Sequence, residues 1–110
     1  MNIKFSTGAV RCRVTQEELD ALLLGRSIKL EVPLPRHHAF RMNVRPVVVG
    51  GWLLESDPTG YWIAIPRASL ETLAQSQPSK AGIDNDFDLG GGATVHVSFE
   101  VDVRKTRQVS

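Results

Sequence analysis

Several stretches of this 110-residue chain have residue types and spacing that could do chemistry. Asp84, Asp86 and Asp88 set carboxylates at alternate positions, like the opening of a calcium loop. The match fails at Leu89, where the sharp turn needs glycine, and at Val95, where a bidentate glutamate belongs. On a strand the same carboxylates would simply point to water, which is the expectation. Gly90-Gly91-Gly92 is followed by Ala93-Thr94-Val95 and by no helix start, so it reads as a hairpin turn rather than a phosphate cradle.

The histidines come next. His37 and His38 are adjacent, and neighbours on an extended chain diverge, which argues against a shared metal. His96 falls on the polar face of the last strand with Ser98, Glu100 and Asp102. With His37 or His38 brought across the fold, His96 and Glu100 make the alternative polar cluster for acid/base or metal chemistry. No metal set, cofactor or catalytic residue is assigned. Cys12, between Val10 and Val14, reads as a small buried hydrophobe rather than a nucleophile.

The remaining candidate is cationic. Arg11, Arg13, Lys29, Arg41 and Arg45 all occupy outward positions of expected strands in the first half, and Trp62 occupies one in the second. If these strands are neighbours, they present one surface able to hold a phosphorylated ligand or single-stranded nucleic acid. The formal charge of +1 is too balanced to argue for nucleic acid or anionic lipid by itself. It is unevenly spread, at +4 over residues 1–50 and −3 over residues 51–110, so two halves of opposite sign could face each other in a homodimer.

The elements that must position these residues follow a repeated plan. Val10-Arg11-Cys12-Arg13-Val14 alternates with the period of a strand. Thr15-Gln16-Glu17-Glu18 has the spacing of a capping box, Leu19, Leu22 and Leu23 form an apolar stripe, and Gly25 suits a helix end, so a helix is predicted over 16–24. Fifty-one positions later Tyr61–Ile65 repeats the strand, Pro66 stands in the place of Thr15, and Leu70 and Leu73 match Leu19 and Leu22. Asn2–Phe5 and Gly51–Glu55 lead into the two strands through turns. Ile28–Val32 and Ala39–Arg45 close the first copy; Ile83–Phe87 and Thr94–Val103 close the second. Trp52-Leu53-Leu54, after Val47-Val48-Val49, reads as the central crossing between halves, or in part as an exposed edge.

The expected fold is therefore α+β: internally duplicated β-β-α-β-β units, about 1–46 and 47–104, with a tail at 105–110. They form one domain, a mostly antiparallel eight-stranded sandwich or partly closed barrel with two short helices. Neither unit is large enough to enclose a core alone, so the two must share one. A single cysteine suits a reducing compartment, and no run approaches a membrane span, so a cytoplasmic protein is expected.

Val10-Arg11-Cys12-Arg13-Val14-Thr15-Gln16-Glu17-Glu18-Leu19 resembles the opening of a family of short bacterial proteins of unknown function. Its members begin with a strand, an arginine-x-arginine pair and a threonine-capped helix. Ala81-Gly82-Ile83-Asp84 and Val97-Ser98-Phe99-Glu100-Val101-Asp102 resemble its later segments. The resemblance implies a bacterial source and lends no activity. Triphosphate-tunnel enzymes are similar in topology alone, since Asn2–Ser6 carries none of the glutamates of their first strand. The leading expectation is a non-enzymatic binding or protein-interaction module. The alternative is a small enzyme or phosphorylated-ligand binder using the arginine-rich face, and the third is a single-stranded nucleic-acid binder.

Overall fold

The capping box forms as the spacing requires. Thr15 Oγ1 accepts the Glu18 amide at 3.1 Å, and Glu18 Oε1 accepts the Thr15 amide at 2.9 Å. This starts helix α1, Gln16–Leu23. Gly25 ends it at a φ of +88°, with the Gly25 amide donating to Leu22 O and the Arg26 amide to Ala21 O, the paired bonds of a Schellman stop. Helix α2, Arg67–Gln75, starts at Pro66 with no side-chain cap. Its end is held by Ser76 Oγ and Gln77 Nε2, both donating to Leu73 O. Leu19 and Leu22 of α1, and Leu70 and Leu73 of α2, are buried, and the two helices pack against each other.

The structure is a computed structural model that describes residues 1–77 and 82–102. Eight strands flank the helices: β1 Asn2–Ser6, β2 Ala9–Val14, β3 Ile28–Pro33, β4 Ala39–Val47, β5 Leu53–Asp57, β6 Gly60–Pro66, β7 Ile83–Gly90 and β8 Ala93–Val101. The element order runs β-β-α-β-β twice, as expected. Val103, Ala81, Pro78, Ser79 and the tail at 105–110 lie outside the described residues.

The strands divide into two four-stranded sheets, ordered β1-β2-β8-β7 (sheet A) and β3-β4-β6-β5 (sheet B). Four pairings are antiparallel hairpins, and the two central ones, β2 with β8 and β4 with β6, are parallel. Each half of the chain therefore gives one hairpin to each sheet, its helix carrying the chain from one sheet to the other. Among the described residues neither sheet closes into a barrel, and the arrangement is a sandwich.

Alternation along each strand decides what lies between the sheets. Cys12, Val14, Val97, Phe99 and Val101 point inward from sheet A; Met42, Val44, Ile63 and Ile65 point inward from sheet B, and all join one core. Ile3, Trp52, Leu54 and Tyr61 pack on it while partly exposed. At the end of the sandwich where β1 turns into β2, Phe5, Phe40 and Tyr61 make three edge-to-face contacts, with centroids 5.6–6.2 Å apart.

The link between halves differs from expectation. Val48 and Val49 are 86% and 89% exposed, so residues 48–52 cross at the surface. The following Leu53–Asp57 is an edge strand, which fits the alternative reading of that segment. No helix among the described residues is long and apolar enough to cross a membrane.

Candidate functional site

The outer face of sheet A is built by register. Lys4 lies beside Arg11 and Asn2 beside Arg13, because β1 and β2 pair through the tight turn at Gly8. Across the parallel seam Arg11 meets Ser98 and Arg13 meets Glu100. The hairpin through Gly90–Gly92 then sets Asp84 beside Ser98 and Asp86 beside His96. Strand by strand the face runs from Lys4 to Arg11 and Arg13, then to Glu100 and His96, then to Asp84, Asp86 and Asp88. It is cationic along β1 and β2 and acidic along β7.

Glu100 ties the middle together. Its Oε1 accepts from Arg13 Nε at 3.0 Å and Nη2 at 2.9 Å, and from Arg11 Nε at 3.1 Å. Arg13 and Glu100 are mostly covered, with side chains 23% and 14% exposed, whereas Arg11 stays 51% exposed. One carboxylate against two guanidiniums leaves a cationic surplus, and Asn2, Lys4, Arg11 and Arg13 line a shallow depression there. A second cluster sits two residue pairs along β8. His96 Nδ1 meets Asp86 Oδ1 at 2.5 Å, and Nε2 lies 3.8 Å from Asp84 Oδ2. The hydrogen bond to Asp86, helped by the charges of Asp86 and Asp84, raises the His96 pKa above its ordinary value.

Sheet B carries the rest of the cationic residues. Lys29 lies beside Asn43, Arg45 beside Ala64, and Trp62 between Asn43 and Glu55. Arg41 Nε donates to Glu31 Oε2 at 2.6 Å. The expected single surface of Arg11, Arg13, Lys29, Arg41, Arg45 and Trp62 is thus divided: two arginines lie on the outside of sheet A, and the other four residues on the outside of sheet B. The reason is topological. β2 pairs with β1 and β8, while α1 carries the chain over to the opposite sheet before β3 begins.

His96 and Glu100 share a strand face but engage different partners, Asp86 and the two arginines. His37 and His38 lie in the turn between β3 and β4 of sheet B, so they do not complete a cluster with His96. Arg36 and His37 there adopt left-handed backbone, with φ of 63° and 61°. Among the described residues no group of three or more His, Cys, Asp or Glu could hold a metal ion. Cys12 is fully buried, and burial pushes its thiol pKa up to about 12.

Lys4 and the Asp86–His96 pair were not singled out from sequence, although the signal was present. Counting outward from the turns at Gly8 and Gly90–Gly92 gives both hairpin registers. Fold and face together define an α+β two-sheet sandwich whose polar groups are gathered on open sheet faces. Comparison with protein families, with characterised proteins and with solved structures finds no match.

Proposed function

We propose that the chain is a non-enzymatic protein-interaction module working through the outer face of sheet A. One observation carries this reading: the face is graded in charge, from Lys4, Arg11 and Arg13 on one side to Asp84, Asp86 and Asp88 on the other. Such a gradient steers and orients a protein partner of complementary layout. A reducing, cytoplasmic setting suits the buried thiol of Cys12.

The depression beside Lys4, Arg11 and Arg13 favours a phosphorylated ligand as the second reading. Against it, Glu100 already occupies the inner donors of both arginines, so a phosphate would have to compete with a fixed carboxylate. Trp62 shares its face with Lys29, Arg41 and Arg45 rather than with Arg11 and Arg13. There Arg41 is paired to Glu31 while Glu55 stands beside the ring, which weakens the nucleic-acid reading.

Amide NMR titrations with an octaglutamate peptide, pyrophosphate and oligo-dT separate the three. The interaction reading expects the acidic peptide to shift β1 and β2 amides and to lose its effect at about 0.5 M salt, where screening is nearly complete. Saturable pyrophosphate or oligo-dT binding, with Kd below about 10 μM, would overturn it in favour of the corresponding alternative.

A further inference from the structure

We infer that the partner of the sheet A face is a second copy of this chain, docked face to face about a two-fold axis parallel to the strands and lying between β2 and β8. The inference rests on the interaction reading above and supplies its partner.

The argument is one of symmetry applied to the charge layout. Two copies meeting through the same face must be related by a two-fold axis in the plane of contact. An axis parallel to the strands reverses the strand order, so β1 of one copy lies over β7 of the other. Lys4 then faces Asp84 of the second copy, Ser6 faces Asp86, and Arg11 faces Ser98, because each of these residues shares a register row. Arg13 and Glu100 of each copy face Glu100 and Arg13 of the other, extending the existing ion pair into an alternating square. An axis across the strands would instead set β1 on β1 and β7 on β7, stacking like charges. The face is thus complementary to itself about the first axis and not about the second.

Sheet B does not share this property to the same degree. The same operation on sheet B would set Lys29 on Glu55 but also Glu31 on Asp57, stacking like charges, because these residues share register rows. The sheet A contact is small. Four strands spaced about 4.8 Å apart and about five residues long at 3.3 Å each span roughly 20 by 17 Å. A patch of that extent suits a weak, reversible dimer held by charge.

Sedimentation velocity of the full chain at about 20 mM and about 500 mM NaCl, conditions of long and short screening length, tests this directly. The wild-type chain is expected to dimerise with increasing concentration at low salt and to be monomeric at high salt. Lys4→Glu/Ser6→Glu makes β1 acidic, and Asp84→Lys/Asp86→Lys makes β7 basic. Each variant alone should be monomeric, and an equimolar mixture should regain the dimer. Cross-linking reads the orientation separately, and Cys12, being fully buried, does not compete. A mixture of Ser6→Cys and Asp86→Cys chains should form a disulfide-linked dimer, and Ser6→Cys alone should not.

Dimerisation of either charge variant alone, open-ended growth into larger species, or cross-linking of Ser6→Cys to itself would overturn the proposal. A chain that stays monomeric at low salt, yet binds octaglutamate through β1 and β2, would overturn self-docking and leave the interaction reading standing. Loss of both would overturn both.

Discussion

Arg13 and Glu100 meet across the parallel seam that joins the two halves of the chain, with two guanidinium nitrogens at 2.9 and 3.0 Å from one carboxylate oxygen. The pair spans 87 positions of sequence and is more covered than an ordinary surface ion pair. Its coupling should exceed the few tenths typical of exposed pairs while staying below that of a fully buried one. A double-mutant cycle with Arg13→Ala and Glu100→Ala, read by urea unfolding, should give about 1 kcal/mol. The same cycle with Arg11, which is half exposed, should give less. Equal coupling at both arginines would show that cover by the sheet face contributes nothing.

His96 gives a pH dependence of definite sign. Its pKa in the folded chain is raised above the ordinary 6.5 by Asp86 first, with the charge of Asp84 adding. The protonated ring is therefore favoured by folding. Its contribution is complete below about 6.5 and is lost as pH rises through the folded value. Imidazole NMR should show a midpoint above that of an unfolded histidine, returning toward it in Asp86→Asn. Thermal melts of wild type and His96→Gln should differ more at low pH than at high pH; a gap that widens with rising pH would contradict the assignment.

Gly60 stands where β6 begins beside β4. A Cβ built there would lie 1.8 Å from the Arg41 carbonyl oxygen, a backbone atom that cannot move without breaking the β4–β6 pairing. Gly60→Ala should destabilise the fold by on the order of 3 kcal/mol, near the upper end for single substitutions. Gly91→Ala makes the contrast, because no atom lies within 4 Å of its added Cβ and only the left-handed φ of +62° is strained. Its cost should be about 1 kcal/mol. Chemical denaturation of both variants checks the ranking.

Cys12 provides an intrinsic reporter of opening. It is fully buried, and its thiol is held in the protonated form by a pKa pushed up to about 12. Labelling by an aromatic disulfide reagent should be slow in the native chain and immediate in urea. Rapid labelling without denaturant would mean that the β2 side of the core opens locally.

The elements were legible in sequence because their causes are local. Thr15 and Glu18 cap α1 within four residues, Leu19 and Leu22 follow a helical stripe, and the alternation in β8 runs unbroken from Val95 to Val101. Sheet membership was not legible. Alternation tells which side chains share a strand face, but it does not say which strand comes next. Arg13 and Arg45 look alike in sequence, both outward between apolar neighbours. One meets Glu100 and the other Ala64, because β2 and β4 sit in different sheets. The site divided for that reason. His96 and Asp86 lay nearer to reach, since a hairpin register can be counted from its glycine turn.

The interlocked topology makes a last prediction about the halves themselves. Residues 1–49 contain β1 and β2 of sheet A and β3 and β4 of sheet B, without the strands that complete either. Each sheet's central parallel pair joins one strand from each half, so a lone half leaves β2 and β4 as unpaired edges. It also leaves α1, with Leu19 and Leu22, without α2 to pack against. Two isolated hairpins and one short helix bury too little apolar surface to offset the chain entropy of ordering them. A fragment of residues 1–49 and one of residues 50–110 should each give the collapsed amide dispersion of an unfolded chain. An equimolar mixture should recover native dispersion, because the contacts that define each sheet are the contacts between fragments. Independent folding of either fragment would mean that a half can close its own core, with its two hairpins paired to each other rather than to those of the other half.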